Sequence, residues 1–195
     1  MCFVKPLTIA GLIGGPGGAD DVDDSDIVRF VPTSLGVNTA GTFEFYFDGS
    51  DMDLTTNAER LDGISIAPDG RLVLSTRGRT NSSGFVAKDE DLFLFDPTSL
   101  GDVTSGSLEL LFDGSDVGMT TGGDDLNAVF YDTVSGELLL STTGTSAVTG
   151  GADEDLSTFT PTSLGSSTAG SFAAFLDGSA VGIPTNCDIV GVDIQ

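Results

Sequence analysis

Apolar and polar side chains alternate in short runs along this chain, and most runs are closed by glycine, proline or Asp-Gly. The clearest set lies in the middle. Residues 91–96 (DLFLFD) alternate and stop at Pro97, which opens a Pro-Thr-Ser-Leu-Gly turn; residues 107–112 (SLELLF) alternate again and stop at Asp113-Gly114. Residues 126–132 (LNAVFYD) then lead through 133–136 into residues 137–142 (ELLLST). A period of two predicts strands, because successive side chains of a strand point to opposite faces, and the punctuation predicts tight antiparallel connections. No stretch sustains a helical period over the ~11 residues that such a test needs.

The same plan is written three times. Pro32, Pro97 and Pro161 recur every 64–65 residues, as do Asp48, Asp113 and Asp177, so the chain is three tandem copies of one supersecondary unit, at about 24–88, 89–152 and 153–195. The first copy predicts strands at 27–31, 42–47, 61–67 and 71–76. The third predicts them at 156–160, 171–176 and 187–194 (CDIVGVDI), which matches 126–133 and leaves that copy one strand short. Residues 4–11 (VKPLTIAG) precede the first acidic stretch as 137–144 precede Asp153, so the missing strand is expected at the other end.

Four short antiparallel strands per copy predict an all-β fold of β-propeller-type blades, a single repeat domain over 1–195 with exchange of its terminal strands. Propellers typically have four to eight blades. Three copies are therefore expected to close by pairing with a second chain as a six-bladed homodimer, each lending its C-terminal strand to the other, or to propagate as an open filament. A monomeric three-bladed body is the third option.

The run D-E-D-L-x-x-F-x-P-T-S-L-G at 89–101, F-D-G-S-D-V-G at 112–118 and G-x-L-x-L-S-T at 136–142 resembles tandem repeats of uncharacterised secreted bacterial proteins that look like β-propellers. The resemblance spans nearly all of the chain after about Asp24. It implies the architecture and an extracellular or cell-surface setting, and it carries over no catalytic residue.

Charge changes the picture of partners. Thirty acidic residues against seven basic ones give a formal net charge of −23, and no Lys or Arg follows Lys88. Nucleic acid and anionic membranes are repelled by such a field, whereas divalent cations are attracted. A solvated, solubilising surface accounts for the same acidity. The hydrophobic fraction of 39% matches a soluble domain rather than a disordered tail. Residues 1–15 hold one Lys and a brief apolar run, a poor signal peptide and too short to span a bilayer, so no membrane insertion is expected. Cys2 and Cys187 lack metal or redox spacing; they are expected as a disulfide in an oxidising compartment or as two unpaired small side chains.

Three sets of oxygens are candidate Ca²⁺ ligands. In the D-G-S-D turns, Asp48 with Asp51 and Asp113 with Asp116 stand three apart, while Asp177 meets Ala180 in the third copy. Two carboxylates alone are too few for an ion that takes six to eight oxygens, and Asp-Gly is also an ordinary turn former. If the strands starting near Leu61, Leu126 and Cys187 are innermost, Asp62, Asn127 and Asp188 line one mouth of an axial channel. The acidic clusters 23–26, 89–91 and 153–155 precede strands, and a cation shared with a D-G-S-D turn would relieve their repulsion.

Catalysis has little material. The chain has no histidine and no phosphate-binding loop, which excludes a Ser-His-Asp triad and histidine-ligated zinc. Trp is absent and only Tyr46 and Tyr131 remain as sugar-stacking tyrosines. The expected role is a non-catalytic, self-assembling structural or interaction protein stabilised by calcium. The alternatives are a calcium-dependent hydrolase of phytase or lactonase type in the channel of a six-bladed dimer, and an extracellular filament subunit. Asn81-Ser82-Ser83 is a glycosylation sequon.

Overall fold

The computed structural model describes residues 22–194. Strand β1 (Ile27–Ser34) pairs with β2 (Ala40–Phe47) as a hairpin. Next come β3 (Leu61–Ile66), β4 (Leu72–Thr76), a small hairpin of β5 (Thr80–Ser82) and β6 (Phe85–Ala87), and then β7 (Leu92–Ser99) and β8 (Ser105–Phe112). The chain continues through β9 (Leu126–Tyr131), β10 (Leu138–Thr142), β11 (Leu156–Ser163) and β12 (Ala169–Leu176). The fold is all-β, with antiparallel sheets ordered β3-β4-β7-β8 and β9-β10-β11-β12. Each four-stranded sheet takes two strands from one repeat and two from the next. Among the described residues no helix is long and apolar enough to cross a membrane.

Alternation explains the layers. Leu72 and Leu74 face one side of β4 and Val73 the other, and all three are buried, because β4 has an apolar layer on both faces. One layer joins the β1–β2 hairpin to the first sheet through Phe47, Leu54, Phe93 and Phe95, with the Phe47 and Phe95 rings edge to face at 4.9 Å. The other joins the two sheets through Leu92, Phe112, Leu138 and Phe159, with Phe112 and Phe159 edge to face at 5.0 Å. Each such ring removed from water contributes roughly 1.5–3 kcal/mol.

Two expectations are corrected. Pro97 does not end its strand: β7 runs on to Ser99, with Pro97 opposite Gly106 and a register shift just beyond. The proline is tolerated because β4 pairs with β7 only at residues 93–95, so no ladder bond needs its missing N–H. Residues 187–194 form no strand within the described residues. The Ile189 N–H donates to Asp153 O at 2.9 Å, as Leu61 donates to Asp24 O and Leu126 to Asp89 O, so the segment enters as β3 and β9 do but pairs with nothing in the described chain. A strand exists through its partner's hydrogen bonds. The expected partner, residues 4–11, lies outside the described residues.

Candidate functional site

The recurrent carboxylates sort by what they accept. In each D-G-S turn the first aspartate stands ahead of a single turn of 3-10 helix and accepts from the residues that open it, Asp113 being the N-cap of its turn. Asp48 Oδ1 accepts from the Ser50 N–H at 3.0 Å and hydroxyl at 2.7 Å; Asp113 Oδ1 does the same with Ser115 at 3.1 and 2.6 Å. Asp177 Oδ1 accepts from the Ser179 hydroxyl at 2.7 Å and the Ala180 N–H at 3.0 Å. The second aspartate turns towards the next repeat rather than towards its neighbour. Asp51 Oδ2 accepts the Thr104 N–H at 2.7 Å while the Asp48 N–H donates to Thr104 Oγ1 at 2.9 Å. Asp116 and Asp113 hold Thr168 in the same way, at 2.8 and 2.9 Å. Both threonines are buried, at 3% and 4% exposure. Sequence spacing alone missed these two clasps, since the partners lie more than fifty residues apart.

The acidic clusters meet the D-G-S turns directly. Asp26 accepts from the Asp23 N–H at 2.8 Å and the Gly49 N–H at 2.9 Å; Asp91 accepts from Lys88 and Gly114 at 2.8 and 3.0 Å; Asp155 accepts from Ala152 and Gly178 at 2.9 Å each. The constant 23-residue spacing from aspartate to glycine is the signal that would have found this contact. Glycine is required because a Cβ at Gly114 would stand 2.3 Å from Glu90 O, and one at Gly178 2.0 Å from Glu154 O.

At the inner edge, β3 and β9 are the end strands of their sheets and lie side by side, the Tyr131 N–H donating to Ser65 Oγ at 2.9 Å. Asp62 and Asn127 hold equivalent bulged positions there, opposite register shifts in their partner strands. The Ser75 hydroxyl lies 2.7 Å from both Asp62 Oδ1 and Leu126 O. Asp188 does not join this pair. The bonds of Leu61, Leu126 and Ile189 make Asp188 the equivalent of Arg60 and Asp125, because the connection from Asp177 to Cys187 is one residue shorter than that from Asp113 to Asp124.

That position sets the electrostatics. Arg60 pairs with Asp24 at 2.5 Å. Asp125 instead stands among Asp62 and Asp89, and its pKa is pushed up to about 7 by burial first and then by those two charges. Burial raises Asp62 to about 6. Asp188 is raised by burial, then by a hydrogen bond with Asp153 and that residue's charge, so two acids meet there. Asp125 Oδ1 and Asn127 Oδ1 are buried without a hydrogen-bond partner. Among the described residues, no three of His, Cys, Asp and Glu gather at metal-ligand spacing.

The acidic lead into the inner strands also holds Glu59 and Asp124, which the sequence offers as candidates together with Asp62 and Asn127. Burial pushes the Glu59 pKa up, but the N–H of Asn81, the hydroxyl of Thr56 and the N–H groups of Thr56 and Thr55 outweigh it and hold the group low. Asp124 occupies the same place and accepts from Thr120 and Thr121 at 2.9 and 2.8 Å. In the third copy Cys187 replaces the acid, its N–H bonded to Pro184 O as Glu59 bonds to Thr56 O and Asp124 to Thr121 O. Pro184, which has no N–H, stands where those threonines donate. The third copy thus lacks the acid and one of the N–H groups that such an acid would accept. Cys187 is disulfide-bonded, and Cys2 lies outside the described residues.

Between β3, β9 and residues 192–194 lies a hollow of about 470 Å³, lined by Ile64, Phe130, Tyr131 and Ile194 with Asp193 as its one carboxylate. Among the described residues no Arg or Lys lines it. No family model matches the chain, and neither the curated proteins nor the solved structures contain a significant match.

Proposed function

We propose that this chain is a non-catalytic structural repeat protein of β-propeller type, secreted or surface-located, which associates with itself and is stabilised by divalent cations, calcium foremost. One observation carries the reading. The carboxylates that recur most regularly are committed to building the repeat array, capping turns and clasping Thr104 and Thr168 of the following repeat. A catalytic or ligand site would instead leave some of them convergent and unspent.

The meandering order of both four-stranded sheets and the adjacency of β3 and β9 support blades arranged about an axis. Residues 188–194, which join no sheet among the described residues, and the two-stranded β1–β2 hairpin support completion of a blade by strands from chain ends. Calcium is supported by the acid pairs Asp89 with Asp125 and Asp153 with Asp188, which stand where the first repeat has an Arg60–Asp24 ion pair. The disulfide at Cys187 supports an oxidising compartment. The test is sedimentation of the full chain in calcium and in EDTA. Species larger than a monomer support the assembly reading; a monomer in both buffers overturns it.

A further inference from the structure

The two junctions inside the chain are built from one set of contacts. At the first, Phe47 packs on Phe95, the Gly101 N–H donates to Tyr46 O at 3.1 Å, and Thr104 is clasped by Asp48 and Asp51. At the second, Phe112 packs on Phe159, the Gly165 N–H donates to Leu111 O at 2.7 Å, and Thr168 is clasped by Asp113 and Asp116. The repeat spacing places a third set at the two ends of the array: Phe30, Gly36 and Thr39 on the β1–β2 hairpin, and Phe175, Leu176 and Asp177 at the end of β12.

The apolar members of this set are more exposed than their counterparts at the internal junctions. Phe95, Phe112 and Phe159 are fully buried, whereas Phe30 and Leu176 are half-buried. Leu111 is 7% exposed and its counterpart Phe175 is 53% exposed. Leu35, beside Gly36, is 76% exposed, although its counterpart Leu164 packs into the core. A Cβ at Gly36 would meet nothing within 4 Å, while Gly101 and Gly165 each face a carbonyl of the preceding repeat. One end of the array therefore displays the donor half of a junction and the other end the acceptor half.

We infer that a second copy of this chain docks head to tail, its β1–β2 face on the β12 end of the first, repeating the internal junction between molecules. This rests on the self-assembly reading and names the surface that serves it. Leu176 of one copy covers Phe30 of the next, Phe175 O takes the Gly36 N–H, and the Asp177 N–H donates to Thr39 Oγ1. The junction lacks one element, because Ala180 stands where Asp51 and Asp116 receive the threonine N–H. It is consequently weaker than the internal junctions and reversible. Such a contact is heterologous, closing into a ring where the rotation allows and propagating where it does not.

Sedimentation of the full chain from ~1 µM to ~1 mM, a range spanning weak to moderate affinities, tests this with three variants. Ala180→Asp restores the missing acceptor and is expected to lower the half-assembly concentration about tenfold. Leu35→Asp disables only the head and Phe175→Asp only the tail, both at exposed positions where melting curves verify folding. Each alone is expected to stay monomeric, and their 1:1 mixture is expected to form a dimer through the one intact head and the one intact tail. Should the parent chain assemble while Ala180→Asp leaves its midpoint unmoved and the mixture stays monomeric, the head-to-tail surface is overturned and self-assembly stands. A parent chain that is monomeric throughout overturns both.

Discussion

Arg60 and Asp125 stand at the same point of successive repeats, and Asp24 and Asp89 are their matching neighbours: Arg60 forms an ion pair there, whereas Asp125 meets like charge. Transplanting the first arrangement into the second gives a prediction. Asp125→Arg provides Asp89 with a partner and removes the repulsion from Asp62. The gain is expected to be about 1 kcal/mol, an ordinary partly exposed pair, or a rise of roughly 2–4 °C in Tm at pH 8 for a chain of this size. Thermal melts at pH 8 and pH 5 check it. The gain should shrink at pH 5, where Asp125 is already protonated; an unchanged or lower Tm at pH 8 would count against the repulsion.

Acidity itself should stabilise the fold. Asp125 is raised to about 7, and Asp62 and Asp26 to about 6, mainly by burial. Carboxyls whose folded pKa exceeds the unfolded value favour the folded state most below the unfolded pKa, near 4, and lose that contribution as pH rises through 6 to 7. Asp124 opposes them: burial lifts it, but hydrogen bonds from Ser146, Thr121 and Thr120 hold it below the usual range, so its contribution is lost only as pH falls below about 4. In chelator, Tm is therefore expected to rise from pH 8 to pH 5 and to fall again below about pH 4. A Tm that declines steadily from pH 8 downward contradicts the assignment.

The clasp on Thr168 has a measurable weight. Removing its acceptor with Asp116→Ala orphans an N–H on a residue that is almost wholly buried, at a cost of about 1–3 kcal/mol and a Tm lower by roughly 3–8 °C. Asp116→Asn keeps an acceptor oxygen and should recover a large part of the loss. Amide exchange at Thr168 separates this from general destabilisation, since it should accelerate more in Asp116→Ala than exchange in the distant β1–β2 hairpin. Equal acceleration everywhere would deny the clasp a local role.

The strands were legible because each carries its own two-residue period, and ten of the predicted runs lie in β1 to β4 and β7 to β12. Pro97 misled because its tolerance depends on where β4 ends, a fact of pairing rather than of local pattern. The hairpin β5–β6 passed unseen; Thr80, Asn81 and Ser82 look like loop, and what anchors them is the Glu59 carboxylate some twenty residues earlier. The same non-locality governs the candidate site. Spacing singled out Asp51 and Asp116, with Asp48 and Asp113, as candidate cation ligands; that each accepts the N–H of a threonine in the next copy is a contact across more than fifty residues that spacing does not carry. Asp188 was matched two positions away from its structural equivalent because residue similarity slid across a one-residue deletion that only the backbone hydrogen bonds reveal.

Calcium provides the last test, and it is coupled to the proton. The pairs Asp89 with Asp125 and Asp153 with Asp188 bring like charges together, with Arg77 offsetting part of the repulsion at Asp125, and a divalent ion that binds only the folded chain stabilises it by mass action. At a hundredfold excess over Kd that effect is about 2.7 kcal/mol, so EDTA is expected to lower Tm by roughly 5–10 °C at pH 8. At pH 5 Asp125 is protonated, cation and proton compete for the same oxygens, and the EDTA effect should largely vanish. The double variant Asp125→Asn with Asp188→Asn should melt alike with and without calcium at both values, and above the chelated parent at pH 8. A calcium dependence that survives in the double variant would move the ion elsewhere, and the remaining D-G-S carboxylates, already occupied by backbone and hydroxyl donors, would have to release those donors to receive it.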